Sequence, residues 1–239
     1  MNAVLNKKTR FIDLGLIDYQ QAWDYQTNLF QSILDVKIQN RSLPDNEQQT
    51  TSNYLLFCEH PHVFTLGKSG DEKNLLVKKE ELHTIEATYY HINRGGDITY
   101  HGPGQIVVYP IIDLENFFTD IHQYMRLLEE SVIQTLAEFN IQAGRIKGLT
   151  GVWVEPENKM TTRKICALGV KTSRWVTLHG LAFNVNTQLD YFNYIVPCGI
   201  DDKAVTSLER ELKSAQDFQH VKSILKEKIT SLFSMEILN

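Results

Sequence analysis

Apolar positions recur with a helical period at three places along the chain. Between residues 18 and 36, Ala22, Trp23, Leu29, Phe30, Ile33 and Leu34 fall near one face of a 3.6-residue helix, and Asp18, with Gln21 three positions later, is suited to cap its start. A second helix follows Asp120, with Ile121, Tyr124, Leu128, Val132, Leu136 and Phe139 on one face and Gly144 as its expected stop. The third carries Phe218, Val221, Leu225, Ile229 and Leu232. Short apolar runs between the helices read as strands: Tyr54 to Cys58, Gly151 to Val154, Lys164 to Lys171 and Val176 to Val185. From Tyr89 to Asp113 the pattern predicts hairpins, with Tyr90-His-Ile-Asn and Ile98-Thr-Tyr joined at Gly95-Gly96, then Gly102-Pro-Gly104 leading into Ile106 to Ile112. Gln39 to Asn53 is polar, aperiodic and contains Pro44, so an exposed loop is expected there.

Strands joined by short turns, with helices in separate blocks, predict an α+β fold with a mixed or antiparallel sheet rather than a doubly wound one. A single domain over residues 1–239 is the simplest division. No repeat or low-complexity tract interrupts the chain. The composition, 42% hydrophobic and 22% charged, is that of an ordinary globular protein. No apolar run approaches the roughly 20 residues of a membrane span and the first residues do not form a leader, so a soluble, cytoplasmic protein with no membrane association is expected. Cys58, Cys166 and Cys198 form neither a C-x-x-C pair nor an even set, which suits reduced thiols rather than a disulfide framework. The net charge of -5 argues against a nucleic-acid partner. Yet from Asn158 to Leu189 there is no acid against Lys159, Arg163, Lys164, Lys171 and Arg174, a local basic island.

Several stretches could carry chemistry. In "RGGDITYHGPGQ", Arg94 to Gln105, the glycines could simply make tight turns, or could let backbone N–H groups approach a ligand with Arg94 and His101 beside them. A dinucleotide loop is not expected, because Gly102-Pro-Gly104 leads into a strand, not a helix. In "RKICALGV", strand alternation puts Lys164 on the same face as Cys166 and Leu168, where an exposed edge lysine is the ordinary reading and a partly buried one the alternative. His179, before Gly180 in an apolar segment, reads first as a core histidine. His60, His62, His83, His91 and His101 invite a metal site, but no carboxylate or thiolate accompanies them at a ligand spacing, and none is expected. In "IVPCGI", Cys198 sits between proline and glycine; an isolated thiol there is ordinarily inert and buried.

Taken in order, "DLGLIDYQQAW", "EHPHVFTLG", "RGGDITYHGPGQ", "GVWV", "RKICALGV", "HGLAFNVN", "IVPCGI" and "VTSL" resemble the lipoyl(octanoyl)transferases of lipoate biosynthesis over roughly Phe11 to Leu212. The resemblance implies the single α+β domain shared by lipoate and biotin protein ligases, a core of about 11–212 followed by the C-terminal helix at about 217–233. It implies no cofactor. By it, Cys198 matches the acyl-thioester cysteine and Lys164 the lysine that lowers its pKa and shuttles a proton. Substrate-binding segments map onto Arg94, Gly95, Gly96, Asp97, Ile98, Thr99, Tyr100 and His101, onto Ala167, Leu168 and Gly169, and onto His179, Gly180, Leu181 and Ala182. The implied donor is octanoyl-acyl carrier protein. The implied acceptors are lipoyl domains of 2-oxoacid dehydrogenases and the glycine cleavage H protein, and the implied state is a monomer.

The residue types suit that chemistry. Attack by Cys198 on a thioester exchanges one thioester for another without ATP, and an acceptor lysine then forms the more stable amide. The loop from Gln39 to Asn53 and the connection from Glu155 to Thr162 are longer than the usual pattern, and Cys166 adds a second thiol, taken here as a packing residue. Three other readings compete: a ligase or amidotransferase of the same fold, a non-catalytic binding module, and a hydrolase with His101 or His179 as base for Cys198. A ligase would leave the cysteine without a task, and a binding module would need neither Cys198 nor Lys164.

Overall fold

The computed structural model describes residues 6–196 and 204–238. Its larger sheet starts from β1 (Lys8–Leu16), followed by α1 (Tyr19–Asn40), β2 (Asn53–Glu59) and, in a separate small sheet, β3 (Val63–Leu66), β4 (Thr88–His91) and β5 (Ile98–His101). The chain then returns to the large sheet through β6 (Gln105–Ile111), α2 (Ile121–Ala137), β7 (Ala143–Ile146), β8 (Leu149–Val154), β9 (Arg163–Ser173) and β10 (Val176–Asn184). The short β11 (Ala204–Val205), α3 (Leu208–Leu212), α4 (Phe218–Phe233) and β12 (Glu236–Leu238) complete it. Strand order in the large sheet is β12-β1-β2-β6-β10-β9-β8-β7, with β11 parallel to β9. Parallel pairing at β1 with β2 and β12, and antiparallel pairing from β2 through β7, make it a mixed sheet, as the sequence predicts.

Alternation along the strands sorts side chains to two faces. One face joins Leu55, Phe57, Ile106, Val108, Leu181 and Phe183 to Leu128 and Val132 of α2 and Val221 and Leu225 of α4. The C-terminal helix therefore shares the main core. The other face joins Leu56, Val107, Tyr109 and Ala182 to Ala22, Phe30 and Ile33 of α1. Asp18 caps α1 by accepting from the amides of Gln20 and Gln21, and Asp120 caps α2 in the same way through His122 and Gln123.

Two sequence expectations change. Gly144 does not stop α2: the helix ends near Glu138, and Asn140 takes the left-handed turn (φ 57°) while the amide of Ile141 reaches back to Leu136 O. Asparagine tolerates that conformation, and Gly144 is left to pair with Trp153 in β7–β8. The hairpins expected from Tyr89 to Asp113 are also absent as pairings. β4 runs parallel and β5 antiparallel to β3, which lies between them, and β5 and β6 belong to different sheets. The strands were legible, but β3, which separates two of them, lies outside that window.

Candidate active site

A cavity of about 590 Å³ is lined by Tyr19 at the start of α1, the loop Arg94 to Thr99, Gln105, Val107 and Tyr109 of β6, and the middles of β9 and β10. Its size falls within the roughly 300–1,000 Å³ of ligand clefts. Of the residues mapped by resemblance, Arg94, Gly95, Gly96, Asp97, Ile98, Thr99, His101, Lys164, Ala167, Leu168, Gly169, His179, Gly180, Leu181 and Ala182 line it together. Tyr100 is not among the lining residues: it packs with Phe64 and Ile98, and its hydroxyl is 2.8 Å from His62 Nδ1. Cys198 lies outside the described residues, as does Gly199. The chain re-enters the structure at β11, where Val205 pairs with Lys164 itself.

Lys164 does not occupy the position that plain alternation predicts. Val152 pairs with Cys166, but its successor Trp153 pairs with Lys164, so Ile165 is an extra residue in β9. The β-bulge places Ile165 and Cys166 together in the core of the α2 face, and Lys164 shares the cavity with Ala167 and Gly169. Lys164 is 8% exposed, so the exposed-edge reading fails, and its ammonium lies 4.7 Å from the centre of the Trp153 ring. Cys166 is a packing residue, fully buried with its thiol pushed up by burial, and Cys58 is held the same way.

The loop from Arg94 is pinned from several sides. Arg94 Nη2 donates to Thr65 O at 2.8 Å and to Thr65 Oγ1 at 3.1 Å, and Nη1 donates to Gly95 O at 3.0 Å. The Gly95 amide donates to Val170 O at 2.9 Å, so it is not a spare donor for an oxyanion. Close approach explains the glycines: a Cβ on Gly169 would lie 2.9 Å from Gly95 O and 3.0 Å from Arg94 Cδ. Asp97 accepts from the Ile98 amide and from Asn74 Nδ2, tying the loop to the connection between β3 and β4.

The histidines of this region are neutral at pH 7. His101 stacks on Tyr19 at 6.0 Å, bonds Gln105 Oε1 through Nδ1 at 2.8 Å, and is held down to about 3 by burial and then by His60. His60 bonds the Tyr109 hydroxyl at 2.8 Å and is lowered to about 4, chiefly by burial. His179 has a left-handed backbone (φ 64°); its amide donates to Gln26 Oε1 and its Nε2 lies 3.1 Å from Asn93 Oδ1. Burial, then Arg94 and Lys171, lower it to about 3. An imidazole that takes up a proton only near pH 3 is a poor general base at neutral pH, which weighs against the hydrolytic reading through His101 or His179. Among the described residues no group of three His, Cys, Asp or Glu side chains could hold a metal ion.

Sequence reading missed Tyr19, Tyr109, Met125 and Leu149 as lining residues. Gln105, Val107 and Tyr109 could have been found, because they alternate along one strand after the Gly-rich loop. The basic island is also smaller than its sequence suggests. Arg163 pairs with Glu211 and Glu155, and Lys164 is buried, leaving exposed Lys159 before β9 and half-buried Lys171 with exposed Arg174 on the β9–β10 arm. Among the described residues no helix is long and apolar enough to cross a membrane.

Comparison with known proteins agrees with this geometry. The octanoyltransferase of Cytophaga hutchinsonii is 60% identical over all of this chain and 98% of its own length. That of Flavobacterium johnsoniae is 57% identical over 98% of this chain and 100% of its own. The structure of a bipartite lipoate protein ligase from Thermoplasma acidophilum superposes with a TM-score of 0.64 at 16% identity, covering 97% of this chain and 86% of that one, a likeness of fold. The profile of the lipoyl protein ligase A/B catalytic domain matches residues 18–230, and the chain belongs to that family.

Proposed function

We propose that this protein is an octanoyltransferase of protein lipoylation, moving an octanoyl group from octanoyl-acyl carrier protein to the target lysine of a lipoyl domain. The observation that carries the reading is the buried amine of Lys164, turned by a bulge into a ligand-sized cavity in a chain 60% identical to an octanoyltransferase along its whole length. Neutral His101 and His179 add no charge to the wall, and the guanidinium of Arg94 there is engaged by Thr65 O and Gly95 O. An uncharged acyl chain suits such a site.

In this reading the Cys198 thiolate attacks the donor carbonyl carbon. The bond from that carbon to the carrier's sulfur breaks, and the leaving thiolate takes a proton from the Lys164 ammonium. The neutral amine of the acceptor lysine then attacks the new thioester. Its surplus proton passes to Lys164 as the bond to Cys198 breaks, which restores the thiolate and the ammonium. Arg94 through Thr99, with Gly169 and Gly180, shape the wall against which the acyl group lies. Acceptors of the lipoyl-domain type include 2-oxoacid dehydrogenase subunits and the H protein, met by a monomer in the cytoplasm.

The test is intact mass. Octanoyl-carrier protein should add about 126 Da to the enzyme at Cys198, and a lipoyl domain should remove it. Addition at Cys166, or release of free octanoate without an acceptor, would refute the assignment.

A further inference from the structure

The strand opposite the bulge that turns Lys164 into the cavity is held by a buried carboxylate of α2. Glu129, in α2, is 0% exposed. Its Oε2 accepts from Arg126 Nη1 at 2.6 Å and from Arg145 Nε at 3.0 Å, while its Oε1 accepts from the Gly151 amide at 3.1 Å. The two guanidinium groups offset the cost of burying the charge, and the second oxygen is left to hold backbone. Gly151 immediately precedes the register shift of β8 against β9. Its φ of 129° suits only glycine, and a Cβ there would lie 2.8 Å from Cys166 O and 3.4 Å from Lys164 Cε. The stem of Lys164 therefore crosses Gly151, with Trp153 beyond it beside the ammonium. One turn before Glu129, Met125 lines the cavity, so α2 reaches from the arginine pairs to the cavity wall.

We infer that Glu129 is a positioning residue for Lys164: by fixing the Gly151 amide it fixes the strand across which the lysine stem lies, and so the place of the ammonium in the cavity. The inference rests on reading Lys164 as the proton-transferring group. Its signature is geometric, because the carboxylate must reach Gly151 as well as neutralise two arginines. Aspartate separates these duties. Glu129→Asp draws the carboxylate back by one methylene; the partly exposed Arg126 and Arg145 side chains can follow it, but the Gly151 amide, fixed in its strand, cannot, whereas Glu129→Ala would strand both arginines and mix unfolding with misplacement.

The experiment compares Glu129→Asp, Glu130→Ala and Lys164→Ala. Glu130→Ala is the control, since Glu130 pairs with Arg145 at 2.7 Å on the outer side and leaves the Gly151 contact intact. Steady-state transfer gives kcat and the KM for carrier and acceptor. Peptide mapping after brief treatment with acetic anhydride gives the labelling rate of Lys164 relative to exposed Lys78. Glu129→Asp should lower kcat by ~10- to 100-fold, the scale of an ångström-sized misplacement, with KM for both substrates within about threefold. It should also raise the labelling rate of Lys164, and Glu130→Ala should do neither. Native kcat and native labelling in Glu129→Asp, or equal changes in Glu130→Ala, would overturn the inference. If Lys164→Ala retained native transfer, the catalytic reading of the lysine would fall, while the labelling comparison would still decide whether Glu129 sets its position.

Discussion

Replacing Lys164 by methionine isolates its charge and proton from its packing. The side chain is 8% exposed, its stem crosses Gly151, and its ammonium faces the Trp153 ring at 4.7 Å. Methionine fills similar space along that path. It forfeits a cation–π contact of ~0.5–2 kcal/mol but removes a charge that is costly to bury, so stability should change by about 1 kcal/mol or less. Catalysis divides differently. A thiol of ordinary pKa, about 8.5, is a few per cent thiolate at pH 7, so under the proposed mechanism losing the Lys164 charge can slow attack by Cys198 by at most ~30-fold. Loss of proton transfer to the leaving thiol and from the acceptor amine adds a factor of ~10²–10⁴. Alkylation of Cys198 by iodoacetamide reads the first quantity and octanoyl transfer to a lipoyl domain reads both. Lys164→Met should therefore slow transfer far more than alkylation. Lys164→Arg, which keeps the charge but does not yield a proton, should spare alkylation and still lose transfer. Equal small losses in both assays would refute the role of Lys164 and leave Cys198 needing another partner.

Three further outcomes are expected. Gly169→Ala would press a methyl group to 2.9 Å from Gly95 O and 3.0 Å from Arg94 Cδ, so the pinned loop must shift and kcat/KM for the donor should fall at least tenfold, within the ~10²-fold scale of a 1 Å misplacement; an unchanged value would mean that the loop does not contact the donor. Burial holds His60 near 4 and His101 and His179 near 3, against about 6.5 in the unfolded chain, so stability is full above about pH 6.5 and falls as the pH drops toward the native values. At pH 5 each costs about 2 kcal/mol, and a urea midpoint that stays flat between pH 7 and 5 would contradict the neutral cluster. If the basic arm steers an acidic carrier protein, Lys171→Glu and Arg174→Glu should raise the KM for carrier protein, as should added salt, because surface charges act over about 8 Å at physiological ionic strength; a KM indifferent to all three would exclude that role.

What the sequence disclosed depended on how far apart the determining residues lie. The caps at Asp18 and Asp120 and the apolar faces of α1, α2 and α4 are local, and they stand where periodicity puts them. The pairing of β4 and β5 with β3 was not legible, because Gly95-Gly96 looks like a hairpin turn until Val63 to Leu66 is placed between the two strands. Arg163 looked like part of an uncompensated basic island because its partner Glu211 lies 48 residues away. Tyr109 was hidden in an apolar run where alternation marked a face but not what the face enclosed.

The face of Lys164 is the most instructive case, because the motif drew attention to the residue while alternation put it on the wrong side of the strand. Period-2 alternation carried Lys164 to the side of Cys166, and a single extra residue reverses everything before it. Nothing in "RKICALGV" marks Ile165 as that residue. The mark lies across the sheet at Gly151, a glycine whose conformation and closeness to the lysine stem call for the absence of a side chain, and in α2, where Glu129 takes the glycine's amide. The motif thus supplies a lysine, while its delivery to the cavity depends on residues 13 and 35 positions away in sequence that carry no chemistry of their own. A chain keeping Cys198 and Lys164 but losing either Gly151 or Glu129 should look like a transferase by motif and transfer poorly.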